Sequence, residues 1–244
     1  MSYLSLARRV PEISALEPKV VTQFYSLIGR VPVVRTTHRR FVAGALGQGV
    51  MRGHALDVGA GPGQATLEIG RQRPGLRMVG LDLAAHMVTQ ASREAARSGL
   101  NGQGLWLRAD GHDLPLPDGS FDLVMSSFAL HHWEDPLLVL NEMARVLRHP
   151  RPGEGQAGGR YFIADVCREV NALQRLFAYA SIPAISLPLG SYAGYGGYYE
   201  SVRAGYTRAE AQALLEQSDL PAGEVRLEST WFVPILIIAS TGTV

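Results

Sequence analysis

The stretch that most constrains this chain is Ala55-Leu56-Asp57-Val58-Gly59-Ala60-Gly61-Pro62-Gly63-Gln64. An apolar run carrying an acid predicts a short buried strand, and the glycines predict a turn. Ala65, Leu67 and Ile69 then predict a helix opening between Pro62 and Gln64. Glycine at three alternate positions lets the backbone take left-handed torsions and brings bare main chain against a ligand. Such a turn makes a floor for a small molecule.

Spacing separates the ligand classes that use such floors. A dinucleotide turn is written Gly-x-Gly-x-x-Gly/Ala, with the pyrophosphate on the N–H groups that open the helix. Here the sixth position from Gly59 is Gln64, and Pro62 removes a donor where a phosphate would need one. A nicotinamide oxidoreductase therefore conflicts with this turn. Met78 to Leu83 reads as a second strand with Asp82 at its tip, about 20 residues beyond the glycines, where a carboxylate can accept both hydroxyls of a ribose. Ala109-Asp110-Gly111-His112-Asp113-Leu114-Pro115 follows, and then Ser126-Ser127-Phe128-Ala129-Leu130-His131-His132-Trp133.

Together these motifs resemble the class I S-adenosylmethionine (SAM) dependent methyltransferases, and within them the family often called type 11, which includes quinone-biosynthesis and other small-molecule methyltransferases. The resemblance runs from about residue 50 to 165. It implies SAM as cofactor, with S-adenosylhomocysteine as product, and a role for each motif residue. Asp57 and the backbone of Gly59, Ala60, Gly61 and Gly63 would hold the methionine part. Asp82 would take the ribose hydroxyls, and Leu83 and Met87 one adenine face. Asp110 would accept the exocyclic amine, Gly111 would present its main chain to the ring, and Ser126 or Ser127 would lie near the sulfonium. Asp110 also has a turn-residue reading. Asp118 and Asp122 have turn and strand-edge readings that need no ligand.

Length and composition bound the rest. With 244 residues, 46% of them hydrophobic, the chain can bury one sizeable core. A formal net charge of +1 gives no electrostatic footprint of general nucleic-acid binding. Cys167 is the single cysteine, which excludes an intrachain disulfide and a cysteine-rich metal site. No signal-peptide pattern and no apolar run of about 20 residues is present, so a cytoplasmic protein without a membrane span is expected.

From residue 54 onward strands and helices alternate, which predicts a parallel sheet covered on both faces. Strands are expected at 54–58, 77–82, 104–108, 121–126 and 160–165, and a final pair at 224–228 and 233–239. The resemblance implies a Rossmann-like α/β fold, a seven-stranded, mostly parallel sheet whose last strand is antiparallel. Residues 1–50 read as an N-terminal helical segment, a lid over the cleft or a cover for one sheet face, with two or three helices in 19–50. Residues 51–244 read as the methyltransferase domain, with an insertion at about 167–206. Helical spacing runs from Glu169 to Ala180, and a capping box at Thr207 and Glu210 starts a later helix. Arg35, His38, Arg39 and Arg40 could greet an anionic substrate or form a solvated face.

A sulfonium makes its own methyl group electrophilic, so an enzyme needs chiefly to align a nucleophile and exclude water. No metal is required, and no metal cluster is recognisable. His131 is the candidate general base: a neutral histidine beside the transfer site could take a proton from the nucleophile, while the competing reading packs one of the two histidines under Trp133. Tyr195 and Tyr198 could line a pocket for a small-molecule acceptor or simply pack. The rivals to a small-molecule methyltransferase are an RNA methyltransferase and a non-catalytic SAM-binding protein acting through a partner. Ser126-Ser127-Phe128-Ala129 stands where amino-methylating nucleic-acid enzymes commonly carry Asn/Asp-Pro-Pro-aromatic, which disfavours a nucleic-acid substrate. No motif sets the acceptor or the oligomeric state.

Overall fold

The computed structural model describes residues 4–5, 32–100, 104–150, 158–189, 198–229 and 233–241. In chain order the elements begin with β1 (Leu4–Ser5), α1 (Pro32–Leu46), β2 (Gly53–Val58), α2 (Gln64–Gln72), β3 (Leu76–Asp82), α3 (Ala85–Arg97) and β4 (Gly104–Arg108). They continue with β5 (Leu123–Ser127), a 3-10 turn (Leu130–His132), α4 (Pro136–Val146), β6 (Arg160–Val166), β7 (Glu169–Val170) and α5 (Ala172–Leu189). The chain then forms α6 (Tyr198–Ala204), α7 (Arg208–Gln217), β8 (Gly223–Ser229) and β9 (Pro234–Ser240).

Seven strands form one sheet in the order β4-β3-β2-β5-β6-β9-β8. β2, β3, β4, β5 and β6 pair in parallel, and β9 is antiparallel to both β6 and β8. This is the expected sheet, with the order turning back at β2 and β5, where the chain leaves one half of the sheet for the other. Ligands of open α/β sheets bind outside the carboxyl ends of the strands at that reversal.

Alternation along the strands explains the two cores. Leu56, Val58, Val124, Ile163, Leu236 and Ile238 face one side, where Leu140 and Met143 of α4 and Ala211 and Leu215 of α7 cover them. Their neighbours Ala55, Leu123, Met125, Phe162, Ala164, Ile235 and Ile237 face the other, under Phe41, Val42 and Ala45 of α1 and Ala65 and Ile69 of α2. Period-two alternation with both faces apolar is what a strand buried on two sides requires. The Phe41 ring lies 5.6 Å from that of Phe162, so α1 covers a sheet face, one of the two roles expected of it. Residues 1–3 and 6–31, including the part of the 19–50 helical reading that precedes α1, lie outside the described residues.

The capping box forms as read: the Thr207 side chain accepts from the Glu210 N–H, and the Glu210 carboxylate accepts from that of Thr207. Two features differ from the expectation. Glu169 and Val170 pair antiparallel with Ser5 and Leu4 rather than starting a helix, a contact between distant segments that leaves no periodicity to read. α5 runs on to Leu189 through Pro183 and Pro188, although the periodic spacing ends near Ala180. Each interior proline costs a helix roughly 3 kcal/mol, so the extension reflects context that local propensity does not carry.

Candidate active site

The glycine turn is pinned from behind. Gly59 and Ala60 both donate backbone N–H to the Leu81 carbonyl, at 3.0 and 2.9 Å, which holds the end of β2 against β3. Gly59, Gly61 and Gly63 all have positive φ, at 75, 54 and 78°. The three are not equivalent. A Cβ on Gly59 would stand 2.5 Å from Ala129 Cβ, and one on Gly63 would stand 2.4 Å from the Trp106 ring. A Cβ on Gly61 would meet nothing within 4 Å. Gly59 and Gly63 are thus filled by protein, and Gly61 faces open space.

Two carboxylates flank this turn. Asp82 is held by main chain, its Oδ2 accepting from Gly61 N–H at 2.9 Å and its Oδ1 from Ala84 N–H at 2.8 Å. Burial raises its pKa, and these two bonds oppose that. Asp57 is fully buried, its Oδ2 accepts from the Thr66 hydroxyl at 2.6 Å, and its Oδ1 has no partner. Burial pushes its pKa up to about 7, the Thr66 bond pulls it down, and the nearby Asp82 charge adds to the rise. A buried carboxylate oxygen without a donor is costly and marks a place where a cationic or hydrogen-bonding ligand group fits.

Leu83 follows Asp82 and is exposed, as an apolar wall for a flat ring would be, whereas Met87 lies buried behind it at the start of α3. Asp110 is exposed, and its Oδ1 accepts from both the backbone N–H and the ring Nδ1 of His112, at 3.0 and 2.6 Å. These His112 bonds hold its pKa below the ordinary carboxylate value. Gly111 sits tight against Val139 and Val58, 3.3 and 3.4 Å from where a Cβ would be, so the chain passes close over the carboxyl end of β2. Ser126 and Ser127 part company: Ser126 is buried with its hydroxyl on the Val58 carbonyl at 2.7 Å, while Ser127 is half-buried at the end of β5.

Beyond Ser127 the chain turns sharply. Phe128 takes a left-handed φ of 54°, alone among the described non-glycine residues, a strained conformation of the sort that clusters at functional sites. Its turn brings Ala129 onto Gly59 and starts the 3-10 turn that carries His131. His131 is buried with Asp165 of β6: the backbone N–H donates to Asp165 Oδ2 at 2.7 Å, and Nδ1 lies 2.6 Å from Oδ1. His132 is exposed, its ring centroid 4.0 Å from that of His131 and tilted 38° to it. One histidine therefore faces inward and one outward, as adjacent residues leaving a strand must.

Several partners of the candidate residues escaped the sequence reading. Thr66, His112 and Asp165 each touch a carboxylate or a histidine singled out there. Asp165 carried a readable signal, an acid inside the otherwise apolar run Tyr161-Phe162-Ile163-Ala164-Asp165-Val166, which a core strand tolerates only with a partner. Tyr198 is packed between Val170 and Val202 on one side and the sheet core on the other, with the Phe177 ring 5.7 Å away, and burial raises its pKa. Tyr195 lies outside the described residues. In the basic run, Arg40 donates to the Ser229 carbonyl at 3.1 Å. His38 is half-buried, and burial lowers its pKa against the effects of Gln64 and Glu68 on α2. Asp118 and Asp122 have structural partners, Arg145 for the first and the His54 N–H and Arg148 for the second. Cys167 is buried, and burial pushes its thiol up to about 12. No cluster of metal-binding side chains occurs among the described residues.

The strand order with β9 reversed, the glycine turn after β2 and the acid at the tip of β3 are the arrangement of the class I SAM-dependent methyltransferase fold. Residues 56–150 match the family model described as "Methyltransferase domain". The chain is 38% identical over 92 residues to a demethylmenaquinone methyltransferase of Thermus thermophilus, covering 38% of this chain and 41% of that protein. It is 30% identical over 148 residues to a ubiquinone/menaquinone biosynthesis C-methyltransferase of Geobacter sulfurreducens, covering 60% and 55%. The chain thus aligns with about half the length of these curated relatives. A SAM-dependent methyltransferase structure from Aquifex aeolicus superposes with a TM-score of 0.59 at 18% identity, covering 93% of this chain and all of the other, which establishes the shared fold.

Proposed function

We propose that this protein transfers the methyl group of SAM to a nucleophilic oxygen, nitrogen or carbon of a small-molecule acceptor by in-line displacement. The observation that carries the reading is the floor itself: Gly61 leaves open the space a side chain would fill, next to the carboxylate of Asp82 and near the unpartnered Oδ1 of Asp57. A ligand with a cationic amine and a ribose diol suits these groups. Asp57 would meet the methionine ammonium, Asp82 the ribose hydroxyls, Leu83 and Met87 one adenine face, and Asp110 with Gly111 the adenine edge. When bound, the cofactor supplies a methyl already activated by its sulfonium.

The remaining work is alignment and proton handling by the chain. Ser127 and the 3-10 turn border the transfer site in this reading. His131 brings Nδ1 to Asp165, a contact that would orient the ring for a part in taking the proton of an acidic nucleophile. The segment between β6 and β8 would shape the acceptor pocket, with Tyr198 as part of its wall. The relatives named for quinone methylation support an acceptor of small-molecule type. No helix among the described residues is long and apolar enough to cross a membrane.

Calorimetric titration with SAM, S-adenosylhomocysteine and NAD tests the cofactor site. Binding of the two sulfur compounds, none of NAD, and loss of binding in Asp82→Ala are expected; absence of sulfur-compound binding would put a partner-binding role ahead. With an acceptor found, His131→Ala should lower turnover by about 10²–10⁴-fold at nearly unchanged SAM affinity. Full turnover in that variant would remove His131 from the chemistry.

A further inference from the structure

We infer that His112 is a positioning residue for the cofactor's adenine, fixing the Asp110 carboxylate so that its Oδ2 is presented to the exocyclic amine. This rests on Asp110 as the amine acceptor. His112 holds only one of the two carboxylate oxygens: its backbone N–H and its Nδ1 both go to Oδ1, at 3.0 and 2.6 Å. Oδ2 accepts from no described residue. On the far side of the ring, Nε2 accepts the backbone N–H of Asp135 at 3.2 Å. One neutral tautomer, with the proton on Nδ1, satisfies both contacts. Asp135 is itself fixed as the cap of α4, accepting from Leu138 N–H at 3.1 Å. The imidazole is thus a strut between the start of a core helix and an exposed carboxylate.

Without that strut the Asp110 side chain, about half exposed, would sample several rotamers, and binding would have to select one of them. Preorganising a group in its bound geometry raises affinity by removing that cost. The effect should be confined to the contact that Oδ2 makes, the exocyclic amine. This separates positioning of Asp110 from general support of the loop.

The test compares S-adenosylhomocysteine with its analogue bearing hydrogen in place of the purine amine, titrated calorimetrically into the full chain and its variants. Wild type should favour the amine-bearing ligand. His112→Ala should weaken it about two- to fivefold, the scale of one exposed charged pair, and leave the deamino analogue nearly unchanged, so the preference shrinks. His112→Asn should restore most of the preference, because its amide nitrogen can stand near the Nδ1 position although it has nothing to offer Asp135. Equal weakening of both ligands by His112→Ala, or failure of Asn to rescue, would overturn the proposal in favour of plain loop support. Preference lost in Asp110→Ala but kept in His112→Ala would overturn it while leaving Asp110 as the amine acceptor. Preference kept in Asp110→Ala would overturn both.

Discussion

His112 and His131 make the same pair of contacts. Each brings Nδ1 within 2.6 Å of an aspartate oxygen, and each donates its own backbone N–H to that carboxylate, at 3.0 and 2.7 Å. Their settings are opposite. The side chains of His112 and Asp110 are 26% and 52% exposed, and those of His131 and Asp165 are 3% and 1% exposed. Near the surface, water competes for every such bond and the pair adds little to stability. In the core no water replaces a lost partner, so the same geometry becomes structural as well as chemical. The comparison teaches that the proposed cofactor end of this site is adjustable at Asp110, whereas the proposed proton-handling end is built into the core.

Removing the two carboxylates breaks the comparison most severely. Asp165 serves three donors: His131 N–H, His131 Nδ1 and, at 2.6 Å, Val166 N–H. Asp165→Ala should lower the unfolding free energy by about 3–5 kcal/mol, since it leaves buried donors unpaired. Asp110→Ala should cost under about 1 kcal/mol. Urea unfolding of the two variants beside wild type measures both. Equal losses would mean that burial does not separate the pairs.

The difference also explains what the sequence disclosed. The glycine turn, the strand-tip Asp82 and the Thr207–Glu210 cap are local and legible in spacing, whereas His112, only two residues from Asp110, escaped because the rotamer that brings Nδ1 to Oδ1 is not written in the spacing. His131 and Asp165 are 34 residues apart and meet because β5 and β6 are neighbours in the sheet. The strand order was reachable through alternation and resemblance, but which side chain answers His131 depends on register, and Ser126↔Ile163 and Ser127↔Ala164 are not written in any local pattern. The same holds for Ser126, whose hydroxyl found the Val58 carbonyl across β2 rather than the cleft, and for Leu4–Ser5 meeting Glu169–Val170.

A smaller perturbation sharpens the contrast inside the cofactor end. Gly61→Ala adds a methyl to open space, so its folding cost should be limited to the left-handed torsion, about 1–2 kcal/mol. Gly63→Ala adds the Trp106 overlap and should cost more. Binding should show the reverse selectivity: Gly61→Ala, still folded by circular dichroism, should lose about tenfold or more in affinity for S-adenosylhomocysteine, on the order of 1.4 kcal/mol. Undiminished affinity would mean that the open space beside Gly61 is not where the ligand lies.

Asp57 gives the most diagnostic effect, because it joins the core's dryness to the cofactor's charge. Its folded pKa of about 7 exceeds the unfolded value, so the folded chain holds the proton more tightly. Its contribution to stability is therefore complete below about pH 4 and is lost as pH rises through 7. Between pH 6 and pH 8 that loss is about 1.4 kcal/mol for one proton with a midpoint at 7. Asp57→Asn should remove this part of the decline, read as the difference between the two proteins' urea unfolding profiles. Saturating S-adenosylhomocysteine should flatten the wild-type profile in the same window, since an ammonium at Asp57 favours the ionised carboxylate and lowers its pKa. The binding itself should then release a proton at pH 6 in wild type and none in Asp57→Asn, measured by calorimetry in buffers of different ionisation enthalpy. Equal proton release in the two proteins would place the ammonium elsewhere, and the unpartnered oxygen of Asp57 would remain a cost of the fold rather than half of a binding site.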